Sequence, residues 1–104
     1  MPGVRGLTVV LLGADPDRAS GAAALAAASA ALGAETVIYL HDAAVPLATG
    51  TLFDEALALG ARMVLCQTGL AAAGLDLSTM DAQLEGGGLI GLLAAAGERQ
   101  LVVV

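Results

Sequence analysis

The chemistry open to this sequence centres on one sulfur atom. Cys66 is the single cysteine among 104 residues. It closes the apolar run Ala61 to Cys66 and is followed at once by Gln67, Thr68 and Gly69. A β-prone run ending this way reads as a strand passing into a helix, here Thr68 to Ala73 with Gly74 as its stop. A thiol at that junction faces the unpaired N–H groups and the positive end of the helix dipole. Both favour the thiolate, which is a nucleophile and a sulfur acceptor near neutral pH. Gln67, Thr68 and Gly69 are then candidate binding residues around it. The competing reading is that a free cysteine, among the most buried residue types, only fills space. One cysteine excludes an intramolecular disulfide, a thiolate-rich metal cluster and a peroxide-reducing cycle with a resolving cysteine in the same chain.

His41 and Asp42 are the next candidates for binding. His41 closes the apolar run Glu35 to His41, and Asp42 follows it. A histidine beside an acid can serve as an oriented general base. Neighbouring residues on a strand point to opposite faces, however, so a direct pair inside the strand is disfavoured. A histidine at a loop edge satisfied by backbone is the simpler reading. Gly86-Gly87-Gly88 before a helix is a possible anion nest. No lysine follows it, and no G-x-G-x-x-G follows the first strand, so nucleotide binding has little support. Close packing of a helix face carrying Gly87 and Gly91 explains these glycines more simply. Asp15 and Asp17 read as a cap and a favourable charge at a helix start. No nucleophile elbow is present. A metal site on one His and one Cys would need carboxylates as well, so neither metal nor cofactor is expected.

The elements that must position these residues follow from periodicity and breakers. Leu7 to Gly13 is a continuous apolar run closed by a turn, as in strands buried on both faces. Asp15-Pro16 opens a helix to about Leu32, stopped by Gly33. It is nearly all alanine and has no polar face, so it is expected to be covered on several sides. Glu35 to His41 is the second strand, and Asp42 to Gly50 a loop with Pro46. Thr51-x-x-Asp54 resembles a capping box for a helix through Leu59, ended at Gly60. Ala61 to Cys66 is the third strand. Leu75 to Glu85 is ambiguous between a loop and a short strand. Gly88 to Ala96 is the last helix and Gln100 to Val104 the last strand. Strands alternating with helices make a three-layer α/β fold: a mostly parallel sheet of four to five strands with helices on both faces. In such folds chemistry collects at the carboxyl ends of the strands, where His41 and Cys66 fall. No repeat or long linker divides residues 1–104, so one domain is expected.

Composition narrows the partners. Apolar residues make up 58% of the chain and charged residues 13%, and mean hydropathy is +0.85. That excludes disorder. It also leaves too little polar surface to coat a monomer, so burial between subunits is expected. Ten acids face four basic residues, all arginine, for a net charge of -6. Tyr39 and Phe53 are the only aromatics. Such a chain lacks the basic patch and stacking platforms that nucleic acids require, and an anionic membrane surface repels it. The stretch Ala19 to Ala34 is too alanine-rich for a membrane span and reads as a buried helix. The opening Met1 to Gly6 does not have the pattern of a signal peptide, so a cytoplasmic protein is expected.

Taken in order, these segments resemble the DsrE-like family of small sulfur-relay proteins. Tyr39-Leu40-His41-Asp42-Ala43-Ala44-Val45 is similar to the family's second strand and turn. Gly60 to Cys66, with Gly74-Leu75 following, is similar to its strand, cysteine and glycine segment. Glu85-Gly86-Gly87-Gly88-Leu89 and the valine-rich end complete the likeness, which spans nearly the whole chain. The resemblance implies a parallel-sheet fold and trimers or hexamers, homomeric or with related subunits. It implies a persulfide on Cys66 that is passed between donor and acceptor proteins without a cofactor. Ala73 stands where many members have a basic residue. The rival reading is a non-catalytic oligomeric binding or scaffold protein with a structural Cys66. A small-ligand binder using the glycine-rich turn is a third.

Overall fold

A computed structural model describes residues 4–104. The start of the opening segment, residues 1–3, lies outside the described residues. The chain forms β1 (Leu7–Leu11), α1 (Pro16–Ala31), β2 (Thr36–Leu40), a 3-10 run over Asp42–Thr49, α2 (Asp54–Ala58) and β3 (Arg62–Cys66). It continues with α3 (Gln67–Ala73), a 3-10 turn at Leu77–Thr79, β4 (Leu84–Gly87), α4 (Leu89–Ala96) and β5 (Gln100–Val103). The five strands make one sheet in the order β4-β3-β2-β1-β5. Every pairing is parallel. The α/β architecture and the continuous apolar strands are therefore as the sequence predicts.

The topology sorts the faces. From β1 to β4 each step moves to the neighbour on the same side, whereas β4 to β5 returns across the sheet. Right-handed crossovers then place α1, α2 and α3 on one face and α4 on the other. Side chains agree. Thr36 bonds Ser29 of α1 at 2.8 Å, whereas Val37 and Val64 share a cavity wall with Leu92 of α4.

The core lies mainly between α1 and the central strands. Val9, Leu11, Ile38, Leu40 and Leu65 are fully buried. α1 begins as the sequence predicts: Asp15 accepts the Arg18 N–H at 2.9 Å, and Pro16 takes the first helical position. Its inward face is alanine only, Ala19, Ala22, Ala23, Ala26, Ala27 and Ala30. Small side chains let the helix approach the sheet closely. Its one leucine, Leu25, and the cap residue Leu32 are exposed.

Several expectations are corrected. The capping box at Thr51-x-x-Asp54 does not form: Phe53 occupies the cap without a side-chain bond, and α2 ends at Ala58. The loop from Asp42 is instead a 3-10 run that accommodates Pro46. α3 starts at Gln67, one residue early. The ambiguous stretch before Glu85 holds a 3-10 turn and the start of β4. Gly87 is a strand residue and shares no helix face with Gly91. It is a glycine because a Cβ there would lie 2.8 Å from Val64 Cγ1. No helix among the described residues is long and apolar enough to cross a membrane.

Candidate functional site

Cys66 is the last residue of β3 and the cap residue of α3. It shares strand parity with Arg62 and Val64, which sets its side chain on the α4 face of the sheet. The residue is 8% exposed. Burial of that kind opposes a thiolate, yet the thiol lies below its ordinary pKa. The nearby Gly69 N–H lowers it most, against the cost of burial, although the sulfur closes no cap hydrogen bond to α3. The Asp42 N–H, the Tyr39 hydroxyl and the Thr68 N–H lower it further. Neighbouring N–H and O–H dipoles that favour the charged form outweigh desolvation here.

Each donor has a structural reason for its place. Thr68 and Gly69 begin α3, whose first amides have no partner within the helix. Gly69 cannot carry a side chain: a Cβ would lie 2.5 Å from Val45 Cγ2 and 2.7 Å from the Asp42 carbonyl oxygen. That close approach seats α3 against the 3-10 run after β2. Asp42 adopts φ 49°, a left-handed conformation costly for most side chains but accessible to aspartate. The resulting turn brings the Asp42 amide to the sulfur. Non-glycine residues held this way are a recurrent feature of functional sites.

Tyr39 completes the set from β2. It is 1% exposed and pairs in register with Val64, so its ring lies on the Cys66 face. A buried phenol needs a polar neighbour, and Cys66 is the one beside it. Burial first, then the bond to Cys66 and the proximity of its charge, push the Tyr39 pKa up to about 12. The hydroxyl therefore remains a donor throughout the neutral range.

The candidates from sequence divide accordingly. Thr68, Gly69 and Asp42 join Cys66, all through backbone N–H groups. The Asp42 side chain is exposed, as is Gln67. His41 stands beside Tyr39 rather than on the sulfur, with ring centroids 6.0 Å apart. Its N–H continues the ladder to the Leu11 carbonyl at 3.0 Å. Its buried Nδ1 has no partner, so the expectation of a histidine satisfied by backbone fails at the ring. Tyr39 was not among the candidates; its one visible signal was parity with the strand end, in a chain with two aromatics. Among the described residues no three His, Cys, Asp or Glu side chains gather to hold a metal ion. The arrangement can stabilise negative charge on sulfur, either a thiolate or a persulfide.

No family model matches the chain, and no curated protein matches it. Among solved structures, the ychN protein of E. coli matches with a TM-score of 0.75, covering 95% of this chain and 99% of that one, at 16% identity. At that identity the likeness is one of architecture: this chain shares the fold of the ychN protein.

Proposed function

We propose that the chain is a sulfur carrier that holds a persulfide on Cys66. One observation carries the reading: the sole thiol of the chain sits where β3 ends and α3 begins, amid N–H and O–H groups of α3, Asp42 and Tyr39 that lower its pKa. A cysteine that only fills space needs none of them. The Cys66 thiolate attacks the outer sulfur of a donor persulfide, R–S–SH. A bond forms between Cys66 Sγ and that sulfur as the donor S–S bond breaks, and the donor leaves as the thiolate R–S⁻. The product is Cys66–S–SH. An acceptor thiolate repeats the displacement and restores the Cys66 thiolate. Neither step changes the net oxidation state, and neither needs a metal or cofactor.

The partners are then a donor and an acceptor protein. The acidic chain suits docking to proteins rather than to nucleic acid. A reduced thiol belongs in the cytoplasm. We place the carrier in a homo-oligomer, a trimer or hexamer, or in a mixed assembly with related subunits.

A second reading has its own support. Cys66 is only 8% exposed, which suits a structural thiol in a non-catalytic scaffold. Loading separates the two. Incubation with a cysteine desulfurase and cysteine should add one sulfur to the native protein by mass, and Cys66→Ser should take none. A native thiol that stays unloaded while the denatured one reacts selects the scaffold.

A further inference from the structure

A cavity of about 260 Å³ lies between α4 and the sheet, on the face that carries Cys66. Its floor includes Val37 and Val64, and its rim includes Gly87. Val64 lies two residues before Cys66 on the same strand face, and Gly87 is the register partner of Cys66 on β4. The end of the cavity at Val64 and Gly87 therefore adjoins Cys66, which does not itself line it, and Arg62 stands at the far end of β3.

Its polar groups are unusual for this chain. Of four basic residues in a molecule of net charge -6, two line this space, Arg62 and Arg99. The Arg99 side chain is 10% exposed and is held by Thr8, whose Oγ1 accepts from Nε at 2.8 Å, and by an ion pair with Glu35. Arg62 donates to Glu85 at 2.8 Å from one N–H. That pair is half exposed, so Arg62 can exchange Glu85 for a ligand at little cost. Glu85 is the one carboxylate on the cavity wall.

The glycines supply an independent sign. Gly91 stands inside α4 among leucines and alanines, where glycine is unfavourable. No backbone or packing constraint requires it: a Cβ there would have nothing within 4 Å. The same is true of Gly88, the cap residue of α4, which makes no side-chain cap bond. Both line the cavity. Their missing side chains leave room, and the uncapped first turn of α4 favours negative charge there.

We infer that this cavity seats the carboxylate of a small thiol persulfide, placing its outer sulfur toward Cys66. The inference rests on the sulfur-carrier reading and names a substrate class for it: a low-molecular-weight donor in addition to a protein. The transfer is the one written above, with R–S⁻ as the small carboxylate thiolate that leaves.

The test compares 3-mercaptopropionate persulfide with its neutral amide as donors to the full chain. Sulfur loading of Cys66 is followed by mass. The carboxylate should load about tenfold faster, the scale of one charge-assisted hydrogen bond. The overall negative charge of the protein opposes that preference, so it cannot arise from the general field. Arg62→Gln should bring the carboxylate donor down to the rate of the amide, and Gly91→Ala, which fills the cavity, should slow the carboxylate donor about tenfold. Gly91→Ala should also raise the melting temperature, which shows that the loss is not one of folding. Equal rates for the two donors in the native protein overturn the inference and leave the carrier reading standing. Loading by neither donor nor desulfurase overturns both.

Discussion

The phenol of Tyr39 on β2 stands beside the sulfur of Cys66 on the neighbouring strand β3 and lowers its thiol pKa. The two side chains share one face of the sheet and form one polar contact inside an apolar layer. Tyr39→Phe should therefore raise the thiol pKa of Cys66, read from thiolate absorbance against pH. The loss of stability should be modest, about 1 kcal/mol, because one hydroxyl is removed while Cys66 keeps the nearby N–H groups of Gly69, Asp42 and Thr68. An unchanged thiol titration would remove Tyr39 from the site.

Gly69 makes the largest favourable contribution to the thiolate, and its Cβ position is blocked by Val45 and the Asp42 carbonyl. Backbone cannot yield as a side-chain tip can. Gly69→Ala should destabilise the fold by about 1–3 kcal/mol, the usual range for overpacking. It should also displace the α3 amides and raise the Cys66 pKa. A variant as stable as the parent, measured by urea unfolding, contradicts the packing described.

Stability should depend on pH through both groups, with opposite signs. The folded pKa of Cys66 is depressed below 9.0. Its contribution is present above the unfolded value and is lost as pH falls through the folded one. The folded pKa of Tyr39 is raised from 10.0 to about 12, so its contribution is complete below pH 10.0 and fades as pH climbs toward the higher value. The difference in urea midpoint between the parent and Cys66→Ser should widen as pH rises from neutrality to 9.0. A constant difference over that range would mean that the thiol is not perturbed.

The two arginines of the cavity should differ in their effect on stability. The Arg62–Glu85 pair is exposed at 57% and 51%, so Arg62→Gln should change stability by no more than about 1 kcal/mol. The Arg99 side chain is only 10% exposed and satisfies the buried Thr8 hydroxyl. Arg99→Ala strands that hydroxyl and should cost about 1–3 kcal/mol. Thermal unfolding of the two variants side by side checks the ranking.

α4 carries no charge and buries only Leu92, while Ile90 is 89% exposed and Leu93 54%. A helix apolar on every side is ordinarily covered. Ile90→Glu should shift the protein toward monomer in light scattering and leave the melting of the monomer unimpaired. A parent protein that is already monomeric at micromolar concentration contradicts the oligomer.

The sequence made the strands and the Cys66 junction legible because their signals are local. Apolar β-prone runs stop at glycine or at a polar residue, and Asp15-Pro16 declares a helix start. The donors around Cys66 were half legible. Thr68 and Gly69 follow from helix geometry alone. Tyr39 and the Asp42 amide depend on the register of β2 against β3 and on one left-handed residue, and no local pattern encodes either. Thr51 failed as a cap because the chain reaches α2 through Phe53, whose ring is buried. By local pattern the glycines near the end suit helix packing; instead Gly86 and Gly87 belong to a strand, since pairing with β3 decides their conformation. Gly91 lines open space, which only coordinates can reveal.

The most direct measurement is the pH dependence of iodoacetamide alkylation of Cys66 in the native protein. The reaction should follow a single thiolate titration with an apparent pKa below the free-cysteine value of about 8.5. Labelling that begins only after denaturation, or a titration at or above that value, would contradict a thiolate poised to receive sulfur.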